Sequence, residues 1–169
     1  TIYAARLGAS AIQIGLIGAA SAVVNLLVAI PAGRWVAKRN TGQAVFWSSV
    51  VYRLGYVLWI PLPWIFGAQG QVWALILINL LMAIPLTPLG VGFNALFAEA
   101  VPSQYRAHVA GMRNIVLSVA FMASSLLSGY ILESAAFPTG YQIVFGIGFL
   151  GAAMSSLHLY FVRPRKKDR

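Results

Sequence analysis

Few side chains in this sequence could do chemistry. There is no cysteine, and the two histidines, His108 and His158, stand too far apart for zinc-ligand spacings, so thiolate nucleophiles, disulfides and sulfur-bound metals are excluded. The carboxylates Glu99, Glu133 and Asp168 are scattered, which leaves no acid and base pair to serve as an enzyme centre. No catalytic residue, metal or cofactor is therefore expected. What remains is a set of polar groups set into apolar stretches: Asn25, Arg53, Asn79, Asn94 and Asn114. In a low-dielectric surrounding such groups turn toward a neighbouring helix or a cavity, where they hydrogen-bond protein or a solute.

The elements that must position them are long and apolar. Hydrophobic residues make up 60 % of the 169 and charged ones only 9 %, against about a quarter in soluble proteins. The net charge of +9 does not indicate nucleic acid, because the basic residues sit at the ends of apolar runs rather than on one aromatic-lined face. Runs without formal charge cover 7 to 33, 54 to 98, 114 to 132 and 134 to 162. A helix needs about 20 apolar residues to cross a bilayer core. The second run thus holds one complete span and most of another, divided at PLPWIFGAQGQ (61 to 71), whose prolines, glycines and glutamines read as an external loop. SAAFPTGYQ, from 134 to 142, opens the last run as a second turn.

The expected architecture is all-α: a polytopic transmembrane helix bundle over residues 1 to 162. Its five visible spans lie near 11 to 32, 45 to 65, 72 to 97, 112 to 132 and 141 to 162, followed by a basic tail, 163 to 169. The chain begins at Thr1 without a leader and reads as a fragment, with TIYAA as the tail of an earlier helix. Ten of the twelve basic residues fall on one side, which makes that side and the tail cytoplasmic in a plasma (inner) membrane. Trp59, Trp64 and Trp73 mark the outer boundary and Trp35 and Trp47 the inner one, as interfacial anchors. Arg53 lies about nine residues into its span, roughly 13 Å along the helix. Pro85 and Pro88, with Gly90 and Gly92, predict a kinked or broken helix. Helix contacts are expected at Gly15, Gly18, Ser21 and Ala22, at Ser125 and Gly129, and at Gly146, Gly148 and Gly151.

Two loops carry a resemblance. IPAGRWVAKRNTGQ, residues 30 to 43, resembles the signature loop between helices two and three of the major facilitator superfamily. Gly33, Lys38 and Arg39 fit that pattern, beside Arg34. Ala37 replaces its Asp, and Asn40 replaces its second Gly as a residue that tolerates a left-handed turn. AEAVPSQYRAHVAGMRN, residues 98 to 114, is similar to the connection between helices four and five, with Glu99 and Arg106 flanking Pro102. The segment 117 to 130 lacks the Gly-Pro signature of the drug and proton antiporter branch.

The resemblance implies helices two to six of an N-terminal six-helix half, built from inverted three-helix repeats, with RPRKKDR opening the central loop. It implies a cytoplasmic latch in which Glu99 faces Arg34, Lys38 or Arg113, and a central cavity that Asn25, Asn79 and Asn94 enter as solute contacts. The other reading of these asparagines is hydrogen bonding between helices. Arg53 would fall on a peripheral helix and be structural, or, if it reached the cavity, would bind an anionic solute. The implied activity is secondary active or facilitative movement of a small solute by alternating access. Its partners would be the lipid bilayer, the solute and the missing C-terminal half. A non-transporting receptor or assembly factor of the same fold is the alternative; a membrane-embedded enzyme would need the catalytic cluster this sequence lacks.

Overall fold

The computed structural model describes residues 2 to 161. A short α1 (Ile2–Arg6) leads into α2 (Ala11–Ala37), α3 (Thr41–Trp59), a single turn α4 (Leu62–Ile65), α5 (Ala68–Ala100), a 3-10 turn (Ser103–Tyr105), α6 (Arg106–Ser134) and α7 (Thr139–Phe161). The described residues contain helices and turns but no strand. Tail residues 163 to 169 lie outside them.

Local signals account for the helix starts. Ser10 accepts from the Gln13 backbone N–H while the Gln13 side chain accepts from the Ser10 N–H, a reciprocal capping box that begins α2. Asn40 caps α3 through its side chain with an extended backbone, so it works as an N-cap and not as the left-handed turn residue expected from its place in the loop. α5 begins at Ala68, which draws Gln69 and Gln71 out of the expected external loop and into a helix. The remaining outer connection is the α4 turn and its flanks. Pro85 and Pro88 sit within α5, which runs unbroken through both.

Four helical segments are long and apolar enough to cross a membrane: Ala11–Ala37, Ala68–Ala100, Ser103–Ser134 and Thr139–Phe161. The exception among the five expected spans is α3, at 19 residues, which carries Ser48, Ser49, Tyr52, Arg53 and Tyr56. Its polar groups dilute its apolar character, and two of them, Ser48 and Ser49, are buried.

The helices run alternately up and down. Gln13 of α2 donates to Gln69 of α5 at 3.4 Å, and Gln142 of α7 donates to the Ile60 carbonyl at 3.0 Å, which puts these termini together at one end, with Tyr3, Trp59, Trp64 and Trp73. The opposite end holds the α2–α3 and α5–α6 connections, joined by a Thr41 to Glu99 hydrogen bond of 3.4 Å. α5 forms the middle of the bundle, with α2 and α3 packed on it; α7 packs on α3, and α6 touches chiefly α7.

Close packing occurs at two glycines that the sequence did not single out as contacts. A Cβ at Gly92 of α5 would meet Val45 of α3 at 2.8 Å, and one at Gly55 of α3 would run into the Met82 side chain of α5. The glycines expected at contacts, Gly15, Gly18, Gly129, Gly146, Gly148 and Gly151, face open space. Small residues permit close approach, but only the rotation of each helix about its axis decides which of them meet a neighbour.

Candidate functional site

The aromatic end holds a partly open cavity of about 260 Å³ between α1, α2, α3, α5, α6 and α7. Tyr3, Trp59, Asn79, Tyr141 and Phe145 supply its aromatic and polar wall, and Ile17, Leu75 and Leu132 part of the rest. The breaker-rich connections explain this gathering: α3 ends at Trp59 just before Pro61, and α7 starts at Thr139 just after Pro138, so two polar-tipped aromatics stand at facing helix ends. Tyr3 stacks obliquely on Tyr141 at 4.9 Å between centroids and meets the edge of Phe145 at 5.7 Å. Its hydroxyl donates to the Gln71 side chain, whose amide in turn donates to the Phe66 carbonyl at 2.8 Å. The Arg6 guanidinium lies 5.7 Å from the centroid of the Tyr141 ring.

Two polar atoms on this wall are buried without a hydrogen-bond partner: the Trp59 indole nitrogen and the Tyr141 hydroxyl. An unsatisfied buried donor costs about 1–3 kcal/mol, a cost that a ligand acceptor would offset. Neither residue was singled out from the sequence as a binding group; Trp59 was expected to be an interfacial anchor. The available signal was a Trp and a Tyr placed beside helix breakers.

The three asparagines expected to share a cavity do not share surroundings. Asn79 lines the cavity and donates to the Leu75 carbonyl at 2.8 Å. Asn25 on α2 accepts from the Thr87 hydroxyl of α5, a link between helices, and Thr87 also contacts its own helix at the Ala83 carbonyl, 3.0 Å away. Asn94 is exposed. Fifteen residues of helix separate Asn79 from Asn94, about 22 Å along the axis, too far for one small solute to touch both. Asn114, on α6, is also exposed.

At the basic end Glu99 accepts from Thr41 at 3.4 Å, and of the three cations named as its partners Arg113 lies against an aromatic ring while Arg34 and Lys38 are exposed. Arg39 stacks on Trp35, its guanidinium carbon 4.8 Å from the ring centroid, and Arg113 lies 4.7 Å from the centroid of Phe93. Arg106 donates to the carbonyls of Val101 and Ala98, bracing the turn that follows α5. Arg34 and Lys38 are exposed in the last turn and C-cap of α2, and Gly33 is half-buried one residue before Arg34. Aromatic faces thus hold Arg39 and Arg113, and backbone carbonyls hold Arg106.

Neither a curated protein nor a solved structure matches the chain. A family model does: that of the Major Facilitator Superfamily matches residues 1–169. The chain belongs to the major facilitator superfamily. It is accordingly a multi-pass membrane protein of a transporter family, not a member of an enzyme family.

Within this superfamily chain Arg53 has clear partners. Its guanidinium donates to the hydroxyls of Ser156 and, at 2.9 Å, Ser155 on α7, while Ser49 and Ser156 bond each other at 3.0 Å. The half-buried arginine therefore ties α3 to α7.

Proposed function

We propose that this chain forms part of a transporter that moves a small solute across the membrane by alternating access, with the cavity at its aromatic end contacting that solute. The observation that carries the site is the pair of unpartnered polar atoms, Trp59 Nε1 and Tyr141 Oη, in a wall that is otherwise mostly aromatic and aliphatic. Such a wall suits a solute with an apolar or aromatic body and a hydrogen-bond acceptor at its edge. Asn79 supplies a third polar contact; Asn25 and Asn94 act elsewhere.

In this reading α3 is the fifth span. At 19 residues it is about 28 Å long, close to the thickness of a bilayer core, and two of its polar groups, Ser49 and Arg53, bond to α7. The excess of basic residues at the α2–α3 and α5–α6 connections supports a cytoplasmic location for that end, for the tail that follows α7, and hence an inner-membrane orientation. The Thr41–Glu99 contact is the inner latch: a single hydrogen bond across two connections is weak enough to break in each cycle.

The test is uptake by the complete protein in proteoliposomes, offered a mixed panel of aromatic and apolar solutes bearing acceptors and read by mass spectrometry. One or more solutes should accumulate above protein-free vesicles, and Trp59→Phe with Tyr141→Phe should abolish that accumulation while the protein still inserts. No accumulation of any solute by the unaltered protein would favour the non-transporting receptor or assembly factor. Accumulation untouched by the double substitution would move the solute site away from this cavity. For the latch, Glu99→Gln should change the reactivity of cysteines placed along the inner ends of α2 and α5; unchanged reactivity removes Glu99 from the gate.

A further inference from the structure

Two adjoining hollows on the outside of the bundle, near its basic end, have the form of an amphiphile. The first is an apolar groove of about 450 Å³ between α2 and α3, floored by α5. It exists because α2 and α3, though consecutive, pack on α5 more than on each other, and because compact residues line it, Ala32 and Ser48 on the walls and Pro85 and Pro88 on the floor. The second is a polar vestibule of about 280 Å³ lined by Arg39, Asn40 and Gln43. Trp35 and Trp47 line both, so the groove and the vestibule adjoin at two indole rings.

The dimensions match one membrane leaflet. From Val28, deep in the groove, to Arg39 in the vestibule is eleven residues of α2 and its cap, about 16 Å, which is half of a bilayer core of about 30 Å. Trp35 and Trp47 then fall at the depth where indoles favour the interface, and the vestibule falls at headgroup level.

Charge selects the occupant. Arg34, Lys38 and Arg39 bring three positive charges to this connection, and the nearest acid by hydrogen bonding, Glu99, engages Thr41 beside the vestibule. Arg39 lies against the face of Trp35, an arrangement that holds the guanidinium at the mouth of the groove. Basic pockets between helices on the cytoplasmic side are suited to anionic headgroups. We propose that the groove and vestibule together bind one anionic phospholipid of the adjacent leaflet, an acyl chain between α2 and α3 and the phosphate at Arg39 with Asn40 and Gln43.

The complete protein, with every tryptophan except Trp35 and Trp47 changed to Phe, is reconstituted in phosphatidylcholine vesicles containing a small fraction of brominated lipid. Brominated phosphatidylglycerol should quench these two indoles several-fold more than brominated phosphatidylcholine at equal fraction. Arg39→Gln should reduce that preference about fivefold, and Arg39→Lys should retain most of it. Val51→Phe, which fills the exposed part of the groove and leaves the charges, should lower quenching by both lipids, with helicity by circular dichroism unchanged. Equal quenching by the two lipids, or a preference that survives Arg39→Gln, overturns the headgroup site. Absence of quenching by either lipid shows that protein covers the groove and overturns the proposal as a whole.

Discussion

α5 and α6 are both long, apolar and able to cross a membrane, yet their surroundings differ completely. α5 buries nine residues, from Gln71 to Leu96, whereas α6 buries none and leaves Phe121, Leu126 and Tyr130 about 70 % exposed or more. Apolar character alone therefore does not distinguish a helix at the centre of a bundle from one at its margin. Lipid is as apolar as a leucine side chain, so no hydrophobic force separates the two; the difference arises from shape and from hydrogen bonds between helices.

The strongest way to test this contrast is to enlarge matched glycines. Gly92→Leu should destabilise the bundle by about 1–3 kcal/mol, because its side chain enters the space of Val45, and Gly55→Leu should do the same against Met82. Gly111→Leu and Gly129→Leu in α6 meet nothing and should stay within about 0.5 kcal/mol. Reversible unfolding in mixed micelles measures all four; a large loss at Gly129 would mean that α6 has a packed face.

A smaller effect is expected from the polar tie that embeds α3. A double-mutant cycle of Arg53→Met and Ser156→Ala should give a coupling of about 1–2 kcal/mol, at the upper end of hydrogen bonds between membrane helices. Zero coupling would reduce the arginine to a solvated group. Asn25→Ala with Thr87→Val should show a neutral link between α2 and α5 near the average for such bonds, about 0.6 kcal/mol. The smallest change belongs to Asn94→Ala, which lies on an exposed face and should alter stability by less than about 0.5 kcal/mol and leave solute uptake intact. Lost uptake would restore it to the transport path.

What the sequence disclosed and what it hid follow the same division. The apolar runs and the breakers at 61 to 71 and 134 to 142 disclosed the helices, because spanning a bilayer constrains length and polarity residue by residue. The family was legible in two loops, since turns require particular residues at particular offsets. The contacting glycines were not, because helices apolar on every side carry no stripe to reveal which face turns inward. Gln71 was misplaced for a related reason: composition marked it as loop, but Tyr3, far away in sequence, offers it a partner inside a helix. The asparagines have different surroundings, Thr87 for Asn25, a cavity for Asn79 and an exposed face for Asn94, and which of these each meets depends on the rotation of α2 and α5.

The Arg53 tie also has a consequence in time. The arginine and its serine partner Ser156 are 103 residues apart, and a ribosome adding about 5–20 residues per second makes the second some 5–20 s after the first. During that interval α3 carries its charge without the hydroxyls that receive it. The bond that joins α3 to α7 is thus made last, after α5 has already offered α3 its apolar packing face.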